Sequence, residues 1–301
     1  MQLESYVNTL GTHLKARFGT RVRKLSLHVG FTCPNRDGTL GRGGCAFCSV
    51  LSFNADDPQA SVAAQLAAGK AGLARASRYL AYFQAYTNTY AEVEELRRLY
   101  AQAVAEADIV GLCVGTRPDC VPDAVLEILA AYRDRGYEVW LELGLQSAHD
   151  ATLARINRGH GFAAYADAVA RARRYGVPVC THLILGLPEE SAAMMLATHR
   201  RVLDCGVAGL KLHPLMIVKG SRLAGGYARG EVSPPTLADY AATAAELIRR
   251  TPEDVVFHRI AATARKPTLI APDWCRTRWP AAEAICADLA RHGAQGSRAG
   301  G

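Results

Sequence analysis

The sequence predicts an α/β protein with a parallel sheet. Short β-branched and apolar runs alternate with longer segments of helical periodicity six times in succession. Such repeats require right-handed crossovers, so the strands lie parallel with helices outside. The sheet could close toward a (β/α) barrel or stay open and doubly wound. In both arrangements the functional site lies at the carboxyl ends of the strands.

The predicted elements follow in order along the chain. Strands are predicted at Lys24–Val29, Tyr79–Ala85, Ile109–Gly115, Val139–Leu145, Val177–Leu185 and Leu210–Ile217, with a weaker seventh at Val255–Ile260. Helices are predicted over about 59–77, 91–107, 122–135, 162–175, 190–205 and 235–250.

The chain shows no internal linker rich in Pro, Gly or Ser. The simplest division is therefore one domain over residues 1–251 and a C-terminal extension over 252–301. A flexible excursion is expected over 219–234, and a disordered tail from about 293.

Composition and charge exclude several classes of protein. Half of the 301 residues are apolar and 21% are charged, which excludes wholesale disorder. No run reaches the roughly 18 apolar residues of a membrane span, and no secretory signal is visible, so a cytoplasmic protein is expected. The net charge of +7 lies in residues 151–301, because residues 1–150 contain 15 Lys and Arg against 16 Asp and Glu. A basic excess attracts phosphate-bearing partners without naming one.

Three of the nine cysteines are clustered directly after the first predicted strand. Cys33, Cys45 and Cys48 stand in CPNRDGTLGRGGCAFC, whose glycines predict a loop; we call it the cysteine loop. Three thiolates could hold a [4Fe–4S] cluster with one iron open, or zinc with a fourth ligand from elsewhere, or form a redox or structural pair. The cluster is favoured, because the chain has no second Cys-x-x-Cys pair and a redox pair needs no third cysteine.

The cysteine loop resembles that of the radical S-adenosylmethionine (SAM) superfamily. Its long first spacing resembles the YhcC-type subfamily, which is related to the radical domain of the Elongator catalytic subunit. The resemblance covers about residues 5–275 and implies an incomplete (β/α)6 TIM-like barrel. It also implies a [4Fe–4S] cluster on the three cysteines and reductive cleavage of SAM to a 5′-deoxyadenosyl radical, which abstracts hydrogen from a substrate. An electron donor such as flavodoxin or ferredoxin would be needed.

The resemblance also implies cofactor-binding positions. Phe47 matches the residue that packs on adenine, although it could equally be a core aromatic residue. Gln146 matches a glutamine near the ribose, and Arg158 matches the arginine that pairs with the methionine carboxylate. Relatives hold the methionine amino group with a glycine-rich turn, where this chain has Tyr86, Thr87 and Asn88. Those three could instead cap the next helix.

Two further residues are predicted to face the cofactor. Glu142 shares a strand face with Gly144 and Gln146, and a carboxylate inside a parallel sheet needs a partner. His182 stands on the strand that packs against adenine in relatives, where a structural role is also open. Lys211 and His213 share a face of the sixth strand and are candidates for the substrate side.

Two other functions stay open at this point. One is a zinc-stabilised RNA-binding protein, and the other is a non-catalytic iron–sulfur sensor. For a radical SAM enzyme, RNA and a small metabolite are both open as substrates, because the tRNA-modifying relatives and the basic second half favour RNA without deciding for it.

Overall fold

The computed structural model describes residues 2–49, 60–73 and 76–300. The strands are β1 (Val22–Leu27), β2 (Arg78–Phe83), β3 (Ile109–Thr116), β4 (Glu138–Gln146), β5 (Val179–Leu185), β6 (Gly209–Pro214), β7 (Ile217–Val218), β8 (Val256–Arg259) and β9 (Leu269–Ala271). The helices are α1 (Leu10–Phe18), α2 (Pro34–Asp37), α3 (Val62–Ala71), α4 (Val93–Ala103), α5 (Asp123–Asp134), α6 (Asp150–Arg155), α7 (Phe162–Arg174), α8 (Ala192–Asp204), α9 (Arg222–Ala228), α10 (Leu237–Arg250) and α11 (Trp279–His292). Within these residues, no helix is both long enough and apolar enough to cross a membrane.

Seven strands form one parallel sheet in the order β1-β2-β3-β4-β5-β6-β8. Helices α3, α4, α5, α7, α8 and α10 fill the crossovers, as the alternating pattern predicts. The weakly predicted seventh strand is present as β8, whereas β7 and β9 form a separate antiparallel pair. The start of the first predicted helix, residue 59, lies outside the described residues.

The sheet is curled into an incomplete barrel, because side chains from its two outer strands meet. Lys24 on β1 has its Nζ 3.1 Å from Nδ1 of His258 on β8. In a flat sheet, six strand spacings of about 4.8 Å would hold these residues roughly 29 Å apart. Within the described residues, no strand ladder joins β1 to β8, so the barrel is open along that seam. The predicted incomplete TIM-like barrel of the α/β class is therefore confirmed.

Helix α1, which the sequence analysis does not predict, packs along the seam against both β1 and β8. The helix begins where the Thr9 hydroxyl accepts a hydrogen bond from a first-turn amide, and it ends at Gly19, whose φ is 68°. Thr9 also forms a single parallel bridge with Phe257 of β8. Leu10 and Leu14 enter an apolar cluster inside the barrel, so α1 closes the amino-terminal end of the barrel.

The interior of the barrel is layered, because alternate residues of each strand point inward. An apolar cluster fills the barrel toward its amino-terminal end and consists of Leu10, Leu14, Val22, Leu80, Tyr82, Cys113, Trp140, Cys180 and Val256. Two residues beyond Val22 and Trp140, toward the carboxyl ends, β1 and β4 carry the charged Lys24 and Glu142. The larger apolar core lies between the sheet and its outer helices.

Three features of the C-terminal part concern the predicted extension. The sheet continues beyond residue 251 as β8, while the predicted domain boundary itself stays a prediction. Helix α9 lies within the expected flexible excursion. Gln295, in the expected disordered tail, is 6% exposed, and its Oε1 accepts a hydrogen bond from the Asn8 amide at 2.8 Å. The Gln295 Nε2 donates to two backbone carbonyls just before β8, so this part of the tail is docked.

Candidate active site

A pocket of about 310 Å³ lies at the carboxyl ends of the strands, which is within the usual range for small-molecule sites. Its walls come from the cysteine loop, from the ends of β2–β6 and β8, and from residues 262–264. The predicted site residues that line it are Cys33, Cys45, Phe47, Cys48, Tyr86, Thr87, Glu142, Gln146, Arg158 and His182. Lys211 and His213 also line it, whereas Asn88 does not.

The cysteine loop is held against the segment that follows α6. The Asn35 Nδ2 donates to the Asn157 carbonyl at 2.6 Å, and the Asn157 Nδ2 donates to the Gly44 carbonyl at 2.9 Å. The Ala46 amide donates to the Ile156 carbonyl at 2.8 Å. Because these bonds join residues more than a hundred positions apart, they fix the loop beside the end of β4.

Cys45 accepts two hydrogen bonds at its sulfur. The donors are Arg158 Nη1 at 3.3 Å and Asn35 Nδ2 at 3.6 Å. The Arg158 guanidinium is held in place because its Nε and Nη2 donate to the carbonyl of Gly144. A Cβ at position 144 would lie 2.7 Å from Arg158 Nη2, so glycine leaves room for this buried arginine. Donors of this kind stabilise the negative charge of a metal-bound thiolate.

Two strand ends place non-glycine residues in the left-handed region. Tyr86, just after β2, has a φ of 65°, and Gln146, at the end of β4, has a φ of 81°. Such positions cost about 1–3 kcal/mol and concentrate at functional sites. The Thr87 Oγ1 is buried and lines the pocket, and among the described residues it has no hydrogen-bond partner, so a ligand could satisfy it. The Asn88 Nδ2 instead donates to backbone carbonyls of β2 and β3, which joins those strand ends.

Glu142 is fully buried and contacts four side chains, and we call these five residues the Glu142 cluster. Its Oε1 accepts from Lys24 and from His258 Nδ1, the latter at 3.0 Å. Its Oε2 accepts from Lys211 Nζ at 3.0 Å and from His182 Nε2 at 2.7 Å. Four donors match the four acceptor positions of a carboxylate. Both oxygens are therefore occupied by protein groups, although Glu142 was predicted to contact the cofactor.

The charges in the Glu142 cluster follow from burial and proximity. Burial favours a raised pKa for Glu142, but the ammonium groups of Lys211 and Lys24 and the hydrogen bonds from both histidines hold it well below its usual value. Burial lowers the pKa of His182 to about 4 and that of His258 to about 3, so both are neutral at pH 7. Burial also lowers the pKa of Lys211 to about 8, although Glu142 opposes this. At pH 7 the cluster therefore holds two ammonium groups against one carboxylate.

Three further residues at the site, Lys24, His258 and Arg259, were not predicted from the sequence. A signal exists for Lys24, since it lies two residues after Val22 in an alternating strand and so shares its inward face. His258 and Arg259 end the short β8, where the strand signal is weak. They enter the site only because the sheet curls.

Arg117 also lines the pocket. It forms a bidentate ion pair with Asp119, with N–O distances of 2.9 and 2.8 Å, and its Nη1 donates to the Arg158 carbonyl at 2.9 Å. A bidentate pair fixes the plane of a guanidinium. Arg117 thereby supports the backbone that carries Arg158.

The three cysteines line one pocket, and their surroundings can be compared with the requirements of a zinc ion and of a cluster. Among the described residues, no three His, Cys, Asp or Glu side chains come together closely enough to hold one metal ion. A zinc site requires four ligands that converge on one ion. In a cubane, each thiolate binds a different iron, so the sulfurs stay apart. Three cysteines on one wall of a pocket, with donors at Cys45, fit a cluster.

Comparison with known proteins gives matches over nearly the whole chain. The family model of the radical SAM superfamily matches residues 32–202, and that of the radical SAM C-terminal domain matches residues 207–291. Protein YhcC of Escherichia coli (strain K12) is 58% identical over 302 residues, covering 100% of this chain and 97% of that protein. A tRNA uridine(34) acetyltransferase of Dehalococcoides mccartyi is 34% identical over 134 residues, which are 43% of this chain and 28% of that protein.

A solved structure supports the fold. The archaeal Elp3 of Methanocaldococcus infernus, with residues 1–46 deleted, superposes with a TM-score of 0.66 at 18% identity. The match covers 91% of this chain and 64% of the archaeal chain, so this protein spans less than two thirds of that structure. Since a superfamily model matches more than half of the chain and a relative at 58% identity is covered almost end to end, the chain belongs to the radical SAM superfamily.

Proposed function

We propose that the protein is a radical SAM enzyme that holds a [4Fe–4S] cluster on Cys33, Cys45 and Cys48 and binds SAM in the adjoining pocket. One observation carries this proposal: the three cysteines line the same pocket as Gln146 and Arg158, and Arg158 donates to the Cys45 sulfur. With an electron from a donor such as flavodoxin or ferredoxin, the bound cluster and SAM supply a 5′-deoxyadenosyl radical that takes a hydrogen atom from the substrate.

Arg158 has the capacity to hold a carboxylate as well as its protein partners. The guanidinium has five N–H groups, of which three are used on the Gly144 carbonyl and the Cys45 sulfur. Two N–H groups remain for the methionine carboxylate of SAM. Because the arginine is buried and fixed by backbone, it would orient the cofactor relative to the cysteine loop.

The other pocket residues divide the remaining contacts. We assign the methionine amino group to the unpartnered Thr87 hydroxyl and the backbone near Tyr86, and the ribose to Gln146. Phe47 and the β5 wall that includes His182 are assigned to the adenine side. In this assignment Glu142 acts indirectly, since its oxygens hold His182 and the two lysines in place.

Metal analysis tests the first part of the proposal. Anaerobically purified wild-type protein should contain about four iron and four acid-labile sulfide per chain. Cys45→Ser should lose most of both, whereas Cys205→Ser, at the end of α8 and away from the pocket, should retain them. Stoichiometric zinc without sulfide would overturn the proposal in favour of a zinc-stabilised protein.

Cofactor cleavage tests the second part. The cluster-loaded protein, reduced with dithionite in the presence of SAM, should release 5′-deoxyadenosine, and Arg158→Ala should lower both SAM binding and this release. A protein with a full cluster that produces no 5′-deoxyadenosine would support the iron–sulfur sensor instead.

RNA is one of the two candidate substrate classes, the other being a small metabolite. Two observations favour it: the partial similarity to a tRNA uridine(34) acetyltransferase and the basic excess in residues 151–301. Binding through arginine and lysine contacts to phosphates weakens steeply with salt. A labelled tRNA pool should therefore lose affinity at least tenfold between 50 and 200 mM salt, whereas a flat response would remove this candidate.

A further inference from the structure

The charged groups around the pocket are unevenly balanced. The charged lining residues are Arg36, Arg117, Glu142, Arg158, Lys211 and Arg259, so Glu142 is the only carboxylate among them. Arg117 is paired with Asp119, while Arg36 and Arg158 bind the cysteine loop. The remaining cations lie on the opposite strands, β6 and β8.

When these cations are counted together with the Glu142 cluster beneath them, the positive charge exceeds the negative charge by two. Glu142 is shared by Lys24 and Lys211, which leaves one ammonium charge in excess. Arg259 adds a second charge: it is exposed at the edge of the pocket and, among the described residues, has no hydrogen-bond or ion-pair partner. The histidines of the Glu142 cluster are neutral and do not alter this balance. The excess ammonium charge of the two largely buried lysines is costly unless a counter-ion binds, whereas Arg259 is exposed and can reach such an ion from the edge of the pocket.

His213 adds an unpartnered donor at the same place. It follows Lys211 by two residues on β6 and lines the pocket, and its buried Nε2 has no hydrogen-bond partner in the part of the chain that the structure describes. Its ring centroid lies 5.9 Å from that of His182. Burial, together with the nearby Arg259 and Lys211, holds the pKa of His213 well below its usual value, so the ring is neutral and can donate one N–H.

We propose that Lys211, His213 and Arg259 bind an anionic group of the substrate, either a carboxylate or a phosphate, on the β6–β8 side of the pocket. This inference rests on the proposed function, because it names the substrate class of the same pocket. Arg259 and Lys211 are paired across β6 and β8, so two cations and one neutral donor face a single anion.

The neighbouring wall indicates the rest of the molecule. Ile184, Leu215, Met216 and Val218 line the pocket and provide an apolar surface. Part of this pocket of about 310 Å³ is assigned to SAM, so the space that remains admits at most a small molecule or a single extruded residue and not a folded polymer. The anionic group would therefore belong to a small molecule, or to one extruded residue, with an apolar part beside it.

Anion titration of the cluster-loaded protein tests this site. Inorganic phosphate and acetate are titrated by calorimetry, anaerobically and without reductant, in the presence of saturating SAM. At least one of them should bind, and phosphate against acetate distinguishes a phosphate substrate from a carboxylate substrate. Arg259→Gln should weaken binding at least tenfold and His213→Asn several-fold, whereas Arg200→Gln on the exposed face of α8 should bind as wild type.

Several outcomes would overturn the inference. The first is that neither anion binds, and the second is that Arg259→Gln binds as tightly as wild type. The third is that the anion competes with SAM, which would assign the cations to the cofactor. Iron, sulfide and 5′-deoxyadenosine are measured on the same preparations. A preparation that cleaves SAM but binds no anion refutes this inference alone. One that lacks a cluster refutes the proposed function, and with it the substrate role of the site.

Discussion

Strand β4 carries two buried glutamates four residues apart, and their surroundings differ. Glu138 lies at the amino-terminal end, where it accepts hydrogen bonds from His13 and Trp140 at 2.9 and 2.6 Å and from Arg17 at 2.5 Å. Glu142 lies at the floor of the pocket and is bound by groups from β1, β5, β6 and β8. Both side chains point into the barrel, and both have a pKa below the usual value.

The difference lies in what the partners can do when the carboxylate is removed. His13 and Arg17 are 34% and 40% exposed on α1, so water can solvate them. Lys24 and Lys211 are 20% and 5% exposed, so they would face each other in a poorly solvated interior. Glu138 fastens the helix that closes the barrel, whereas Glu142 neutralises charge inside the site.

The largest expected effect is on Glu142. Glu142→Ala should lower the free energy of unfolding by about 3–5 kcal/mol, because it leaves two buried ammonium groups unpaired. Urea unfolding of the cluster-loaded protein measures this. The double variant Glu142→Gln with Lys211→Met should recover part of the loss, since it removes one of the unpaired charges. A loss below 1 kcal/mol for Glu142→Ala would contradict the assigned charge balance.

Acid should produce the next largest effect. In the folded protein the pKa of His182 is about 4 and that of His258 is about 3, whereas the ordinary value is 6.5. Between the folded and the ordinary pKa, the unfolded state therefore binds more protons than the folded state. Stability is then complete above pH 6.5 and falls as the pH decreases, by about 1–2 kcal/mol per histidine at pH 5. Thermal unfolding between pH 7.5 and 5 measures this. His182→Asn should flatten the dependence, and an unchanged slope in that variant would argue against a neutral buried His182.

Glu138→Gln should have the smallest effect, about 1–2 kcal/mol in the free energy of unfolding. The amide keeps one acceptor for Trp140, and the exposed partners on α1 become hydrated. Urea unfolding and 5′-deoxyadenosine release should be measured together, and release should match wild type. If Glu138→Gln were as destabilising as Glu142→Ala, the two ends of the strand would not differ as proposed.

The sequence predicts the repeating part of the fold and does not predict its closure. Strands β1–β6 follow from local sequence patterns, because short β-branched and apolar runs alternate with segments of helical periodicity. Helix α1 was missed, since its packing on the seam depends on how far the sheet curls. The cysteine loop could be identified by its own pattern.

The Glu142 cluster shows the same limit within the site. Alternation along β4 places Glu142 on an inward face, which a single strand reveals. Its partners Lys24 and His258 come from the two outer strands, 118 and 116 residues away. Residue spacing within one strand indicates a face and cannot indicate which residue stands across the barrel. A charged residue in a buried strand indicates only that a partner of opposite charge exists, and does not indicate which residue it is.

The seam between β1 and β8 also has a consequence for the order of folding. Asn8 and Gln295, which meet beside the seam, are 287 residues apart. This contact cannot form on the ribosome until nearly all of residues 8–295 have been synthesised and have emerged. Until the segment with His258 has been synthesised, the barrel is incomplete, and Lys24 and Glu142 remain exposed to solvent in a partly formed sheet. If an iron–sulfur cluster were inserted during synthesis, the cysteine loop would receive it before the barrel is complete. If it were inserted after release from the ribosome, the barrel would already be folded.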